Sequence, residues 1–455
     1  MLLVALGLAV GRRVTSADGF FVAGRGLGPG LLFATLVAAN VGAGSTVGAA
    51  GLGFRDGLAA WWWVGAAAIG SLVQAFWIGP AMRRVAAAHG LRTVGDYLEL
   101  RFGGQVRLVV AALLWCGTLA ILAGQLIAMS TLFTAVMGSP KWLGCVVGGI
   151  VAVAYFTAGG LLSSAWVNLL QLVVLVAGFV LAVPFALART GGWAGAVAAL
   201  PTDPGYWSPW QNGASGWMYL ALLGPAFIIS PGLLQKIFGA RDDRAVRVGT
   251  GLNAVALLAF AFFPPVLGML ARALHPDLAS PQLALPTLLV EDLPVGVGAL
   301  GLAALFSAEV STADAILFML STSLSQDLYR RAVNPGATDV QVLRVARGAA
   351  IVGGALGIAI ALVAQTIIGA LSVFYSVLGT CLFVPILGGL WVKRLDGHAA
   401  LAAIGGGAIA LLSMRLAYGD AGFRGITPPM AGLALSVLIA GMALAPTGRR
   451  GREPT

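Results

Sequence analysis

The chain has 455 residues, of which 59% are hydrophobic and only 10% charged, and its mean hydropathy is +0.93. Soluble globular chains carry about 25% charged residues, so this composition excludes that class and indicates a polytopic helical membrane protein. A net charge of +10 would suggest a nucleic-acid partner in a soluble protein, but its distribution along the chain fits membrane topology and argues against nucleic acid.

Residues 1–10, MLLVALGLAV, are apolar but too short to cross a bilayer alone. Arg12 and Arg13 follow without a small-residue cleavage pattern, which argues against a signal peptide. The expectation is that residues 1–13 are the end of a partial helix whose beginning is absent. Twelve apolar spans come next, at 28–53, 57–80, 106–137, 141–157, 160–187, 213–237, 246–272, 294–324, 341–366, 368–392, 398–417 and 427–445. If the Arg12-Arg13 boundary faces the cytoplasm, so do loops 81–105, 238–245, 325–340 and 393–397 and the tail 446–455. The opposite side then holds only Arg55, Lys141, Arg189, Arg272, Arg415 and Arg424, leaving 21 of the 27 Lys and Arg inside. That asymmetry follows the positive-inside rule and implies a multi-pass protein of the plasma (inner) membrane. The long polar stretches 189–212 and 273–293 fall outside and are expected to form short surface helices.

The first span has a poor helical centre, Asn40-Val41-Gly42-Ala43-Gly44-Ser45-Thr46. Two glycines in three residues weaken the helix, and Asn40, Ser45 and Thr46 bring polar groups to mid-depth. One reading is a Gly-rich helix packed on its neighbours; the other is an unwound helix whose free carbonyls bind an ion or solute. The sixth span carries Gly224-Pro225 and Pro231-Gly232 within one hydrophobic segment, and each proline removes a backbone donor. Spans one and six occupy the same position if the chain divides as five plus five plus two. Paired broken segments at matching positions are a sequence pointer to the central site of a secondary transporter.

The eighth span contains Glu309 and Asp314 in a mostly apolar run, LFSAEVSTADAILFMLSTSLSQDLY. Ionisable groups at membrane depth are functional-site candidates. Ser311 and Thr312 lie one turn beyond Ala308 and place two hydroxyl oxygens side by side, as a small hard cation requires. No basic residue is expected at mid-membrane to offer a counter-charge to a carboxylate solute, although broken-helix N-termini can hold a carboxylate with backbone N–H groups. The three cysteines, Cys116, Cys145 and Cys381, have no metal spacing and read as packing residues.

These segments resemble the sodium:solute symporter family of sodium-coupled sugar, proline, pantothenate and monocarboxylate transporters. The matching stretches are FFVAGRGLGPG (20–30), LVAANVGAGSTVGAAGLGFRDG (36–57), TVGDYLELRFG (93–103), SPGLLQKIFGARD (230–242) and SAEVSTADAILFMLSTSLSQDLY (307–329). The resemblance implies an all-α, five-plus-five inverted-repeat (LeuT-like) bundle: residues 28–187 form the first repeat, 213–392 the second, and 398–445 two additional helices. It also implies uptake of a small polar organic solute driven by sodium. Carried over by motif, the sodium ligands would be the carbonyls of Ala38, Val41 and Ala308 and the hydroxyls of Ser311 and Thr312. Against this, the two hydroxyls could simply bond back to helix carbonyls.

The solute is expected beside the ion, near Asn40, Ser45, Thr46 and Pro225, with Gln125, Asn168 and Gln171 as further polar candidates. Sugar transporters of the family carry an acidic residue and a glutamine after the matching Asn-Val pair. Gly44 and Ser45 stand there in this chain, which favours an amino acid such as proline, or a monocarboxylate, over a sugar. Asp314 and Glu309 are candidates for a second cation or a proton, with Glu309 rotated about 100° from Ala308. The alternatives are a proton-coupled transporter and a transporter-like sensor working with a separate kinase. Enzyme chemistry is disfavoured, because His89, His275 and His398 lie in loops or at span ends and no HExxH, GxSxG or P-loop pattern occurs. No channel filter sequence is visible. The chain is expected to work as a monomer.

Overall fold

The computed structural model describes residues 17–157 and 161–444. The expected partial helix at 1–13 and the tail at 446–455 lie outside the described residues. Helices occupy every one of the expected spans. Among the described residues, nine helices are long and apolar enough to cross a membrane, and Pro29–Asn40, Lys141–Ala154 and Pro428–Leu444 are shorter apolar helices.

Both expected breaks are present. Span one runs as Pro29–Asn40, leaves helical geometry at Val41 (φ −99°, ψ 92°), and resumes through a wide turn at Gly44–Gly48 into Ala49–Asp56. Span six is Tyr219–Ile228 followed by Pro231–Phe238, with Ile229 and Ser230 between them. Pro231 opens the second half-helix, where a missing N–H costs nothing.

Two loops differ from the sequence expectation. Span eight, Val295–Thr322, continues as a wide-turn helix, Ser323–Val333, into the region read as the loop 325–340. Span two likewise reaches His89, and Val94–Phe102 forms a separate helix started by a reciprocal cap between Thr93 and Asp96. These segments are polar and amphipathic, so hydropathy alone misses them. The outer stretches do carry the expected short helices, at Gly192–Ala199, Pro204–Trp207, Pro281–Leu283 and Ala284–Thr287.

Burial separates core from periphery. The most apolar stretch of span eight is 78% buried, against 28% for span eleven, Gly397–Tyr418. Span eight therefore sits at the centre, packed on spans five, three and nine and on the first half of span one, while spans eleven and twelve pair with each other beside span ten. Cys145 and Cys381 are buried, but Cys116 is exposed. The outer end of span one is held under the 204–216 loop. Tyr206 Oη donates to Gly53 O (2.9 Å) and Ser215 Oγ to the Asp56 carboxylate (2.5 Å), and burial pushes the Tyr206 phenol pKa up.

Candidate functional site

The break in span one frees specific carbonyls. In a continuous helix the Gly42 N–H would donate to Ala38 O, but here it donates to Ser45 Oγ (3.0 Å). The Ser45 N–H, the partner expected for Val41 O, goes instead to Gly42 O (3.0 Å). Ala38 and Val41 thus lose their helical donors, and both carbonyls face span eight. Thr312 Oγ1 lies 2.9 Å from Ala38 O and 3.1 Å from Val41 O, and Ser311 Oγ lies 3.0 Å from Ala308 O and 3.4 Å from Ala38 O.

These distances describe five oxygens with too few hydrogens. Each hydroxyl has one proton to donate, so the two hydroxyls satisfy two of the four close oxygen–oxygen contacts. The other two are lone pair against lone pair, an arrangement that a cation relieves. Ligands on a shell of about 2.3–2.6 Å, as for a hard cation of calcium's size, are spaced roughly as far apart as these oxygens are. Beside them is a cavity of about 10 Å³ lined by Val37, Ala38, Val41, Gln171, Ala308 and Ser311, the space of about one water-sized sphere. Back-bonding to Ala308 O accounts for one of the four contacts; the other three cross to span one.

A second cavity, of about 30 Å³, lies on the other side of the break. Asn40, Gly42, Gly44, Ser45, Gln125 and Thr312 line it, together with Trp63, Phe227 and Tyr375. No charged side chain lines it. Trp63 meets Tyr219 and Tyr375 edge-on at 5.0 and 6.1 Å, and Phe227 lies 5.4 Å from Tyr375. Gln125 Oε1 accepts from the Ala43 N–H (2.9 Å), and Asn40 Nδ2 donates to Asn253 Oδ1 (3.1 Å). Thr312 belongs to both sites: its hydroxyl touches the ion-site carbonyls and its side chain lines this second cavity.

Four expected solute residues are placed elsewhere. The Thr46 hydroxyl lies 2.8 Å from Gly42 O and 2.9 Å from Glu309 Oε1, because the wide turn rotates it away from the cavity. Gln171 lines the ion cavity, and its buried Oε1 has no protein partner. Asn168 sits one turn from Gln171 on span five and bonds Thr35 and Ser164. Pro225 is absent from the cavity lining and faces Gly379. Glu309 is fully buried and takes the Thr46 hydroxyl on one oxygen, so it braces the restart of span one. Asp314 accepts from Ser164 Oγ at 2.6 Å.

Sequence reasoning missed Lys236. It is only 3% exposed, and its Nζ donates to Thr35 Oγ1 at 2.9 Å. A buried basic residue thus lies inside the helical bundle. Lys236 lies on the strongly amphipathic half-helix Pro231–Phe238, whose neighbours Leu233, Leu234 and Ile237 are all buried, and that pattern was the available signal.

The break works only because residue 42 is glycine. A Cβ there would fall on the Thr312 side chain and 2.7 Å from Gln125 Oε1. Overpacking of this kind costs about 1–3 kcal/mol. Gly42→Ala should therefore lower unfolding stability in detergent by about 1–3 kcal/mol while leaving membrane insertion intact, as measured by thermal unfolding of the purified protein. Unchanged stability would show that the Thr312–break contact is not needed.

A sequence model of the sodium:solute symporter family matches residues 20–407. Among curated relatives, the chain is 28% identical to a sodium/pantothenate symporter of Escherichia coli (strain K12), over 93% of this chain and 90% of that protein. It is 24% identical to the high-affinity proline transporter PutP of Bacillus subtilis (strain 168), over 90% and 89%. Among solved structures, a Na⁺-coupled sialic acid symporter in a substrate-bound outward-open state superposes with a TM-score of 0.81 at 20% identity, covering 97% of this chain and 95% of that one. The nucleobase-cation-symport-1 transporter Mhp1, in a closed conformation with bromovinylhydantoin bound, gives 0.66 at 15% identity, covering 94% and 96%. At these identities the structural likeness concerns the fold.

Proposed function

Because the chain belongs to the sodium:solute symporter family, a family of membrane-embedded secondary transporters rather than enzymes, we propose that it couples sodium to the uptake of a small solute bearing a single carboxylate. Sodium-coupled solute symport follows from membership; the ligand sets and the solute class are our reading. Sodium is assigned to the Ala38, Val41 and Ala308 carbonyls and the Ser311 and Thr312 hydroxyls, with Gln171 Oε1 as a further oxygen at the same cavity. The solute is assigned to the cavity lined by Asn40, Ser45, Gln125, Trp63, Phe227 and Tyr375. Residues 28–187 and 213–392 are taken as the two repeats, the plasma membrane as the location, and a monomer as the working unit.

The observation that carries this reading is that Thr312 touches the freed Ala38 and Val41 carbonyls with its hydroxyl while its side chain lines the second cavity, so the span-one break borders both. Sodium drawing Val41 O and Thr312 Oγ1 together fixes the segment whose N–H groups face the solute cavity. Those at Gly42 and Ala43 are held by Ser45 Oγ and Gln125 Oε1, acceptors that a carboxylate can replace, as expected where a half-helix begins. Two relatives, by name, carry pantothenate and proline, both of which bear one carboxylate. The uncharged, aromatic lining suits a compact apolar body better than a ring of sugar hydroxyls.

A cavity of about 30 Å³ holds a water or two, so the solute needs the aromatic wall to move. Tyr219, edge-on to Trp63, lines an outer cavity of about 570 Å³ bounded by spans six, ten and eleven. Displacing the Trp63–Tyr219 layer would join the two cavities. The test is uptake into proteoliposomes under an inward sodium gradient, after a thermal-shift screen in sodium of proline, pantothenate, short monocarboxylates and hexoses. Accumulation is expected for a carboxylate solute and should vanish when choline replaces sodium at fixed pH. A hexose giving the only sodium-dependent shift would reject the solute assignment.

A further inference from the structure

Below the sodium cavity, toward the Arg-rich face, a buried polar chain crosses four helices. Lys236 Nζ in the second half of span six donates to Thr35 Oγ1 in the first half of span one (2.9 Å). Asn168 Nδ2 in span five contacts the same Thr35 oxygen (3.4 Å) and Ser164 Oγ (3.3 Å), and Ser164 Oγ donates to Asp314 Oδ2 in span eight (2.6 Å). Lys236, Thr35, Asn168 and Asp314 are 3%, 0%, 1% and 6% exposed. One cation and one anion thus close a chain of neutral groups, and each charge acts on the other. Among the described residues, Asn168 Oδ1 is buried with no protein partner.

Asp314 is three residues beyond Ser311, so the two side chains sit one above the other on the same face of span eight. Beside it is Ser164 Oγ, which in turn accepts from Asn168 Nδ2. A carboxylate with neighbouring neutral oxygens, one turn from a sodium cavity, has the chemistry to hold a second monovalent cation. Lys236 changes that balance. Its buried ammonium reaches Asp314 through Thr35, Asn168 and Ser164, so the two charges already balance within the bundle, and an added sodium would leave a net positive charge in the buried interior, which is strongly unfavourable.

We propose that Lys236 is a tethered cation standing in for a second coupling ion at Asp314, so that this transporter binds and couples one sodium. The proposal rests on the sodium-symport reading and concerns the ion count, not the solute. A lysine on a half-helix also moves with that helix, so the positive charge at Asp314 stays with the protein through the cycle instead of being carried across.

The test counts ions on the purified full-length chain by equilibrium ²²Na⁺ binding without solute. The unmodified protein should bind one sodium, and that ion should be lost in the Ser311→Ala/Thr312→Ala double variant. Lys236→Met should bind two, and adding Asp314→Asn should return the count to one. Lys236→Arg, which keeps the charge, should stay at one. Two sodium ions on the unmodified protein, or one on a Lys236→Met protein that retains its first ion, would overturn the proposal. Should Lys236→Met lose both ions by misfolding, the unmodified protein's sodium-to-solute ratio, from reversal of flux against an imposed gradient, decides: one supports the proposal and two overturns it. If instead the single ion survives loss of Ser311 and Thr312, the sodium-site assignment fails while the ion count still stands.

Discussion

Replacing Ser311 and Thr312 together by Ala should raise the sodium dissociation constant by about 100-fold or more and abolish uptake at ordinary sodium concentrations. Each hydroxyl–ion contact is comparable to a hydrogen bond to a charged group, worth about 1.5–3 kcal/mol. Two of them give about 3–6 kcal/mol, and every 1.4 kcal/mol is tenfold. Folding should change little, because both side chains are small and the carbonyls they leave border a cavity of about 10 Å³, room for about one water. Apparent solute affinity should fall with sodium affinity, since linkage between two ligands is reciprocal. Solute binding measured at saturating sodium should then recover most of its strength, which separates an ion defect from damage to the solute cavity. A double variant with ordinary sodium dependence would mean that these hydroxyls serve only the helix carbonyls.

The geometry behind that prediction was largely legible in the chain. Glycines and polar residues at 40–46 and Pro231 mark the breaks, because they weaken or end a regular helix, whereas Pro225, also expected to break span six, stays inside the helix Tyr219–Ile228. Ser311 and Thr312 were visible as adjacent hydroxyls one turn past Ala308. What sequence could not give was rotation about each helix. Asn168 and Gln171 are three residues apart on span five, yet one bonds Thr35 and Ser164 while the other lines the ion cavity. Thr46 is turned onto Glu309 by the wide turn at Gly44–Gly48, a local widening with no clear sequence mark. Lys236 was missed because a lysine near a span end ordinarily reaches for water, whereas the break at Ile229–Ser230 lets its half-helix lie against Thr35 in the interior.

The largest loss of stability is expected at Arg107, near the start of span three. Its guanidinium meets Asp327 and Asp96 at 2.7 Å and Glu99 at 2.5 Å, and Nη2 also donates to Gln326 O at 3.2 Å. One residue thereby ties the Val94–Phe102 helix and the extension of span eight to span three. The three carboxylates are not equivalent. The side chains of Asp96 and Glu99 are 23% and 18% exposed and border a cavity of about 600 Å³, so water can partly replace the arginine. Asp327 is 5% exposed and keeps only the Thr93 hydroxyl (2.7 Å) as a further donor. Removing one partner of a buried pair costs about 3–5 kcal/mol because a charge is left without compensation. Arg107→Met should therefore lower unfolding stability in detergent by about that amount. Arg107→Lys should lose less but not nothing, since an ammonium lacks the planar fork that reaches three carboxylates. The double variant Arg107→Met/Asp327→Asn should recover at least half of the loss, because the stranded charge is gone. Its sodium affinity should stay near that of the unmodified protein, since no ligand oxygen is touched. Additive losses in the double variant would mean that Arg107 acts through its packing rather than through Asp327. Recovery would show that the charge on the extended end of span eight is tolerated only because span three supplies its partner.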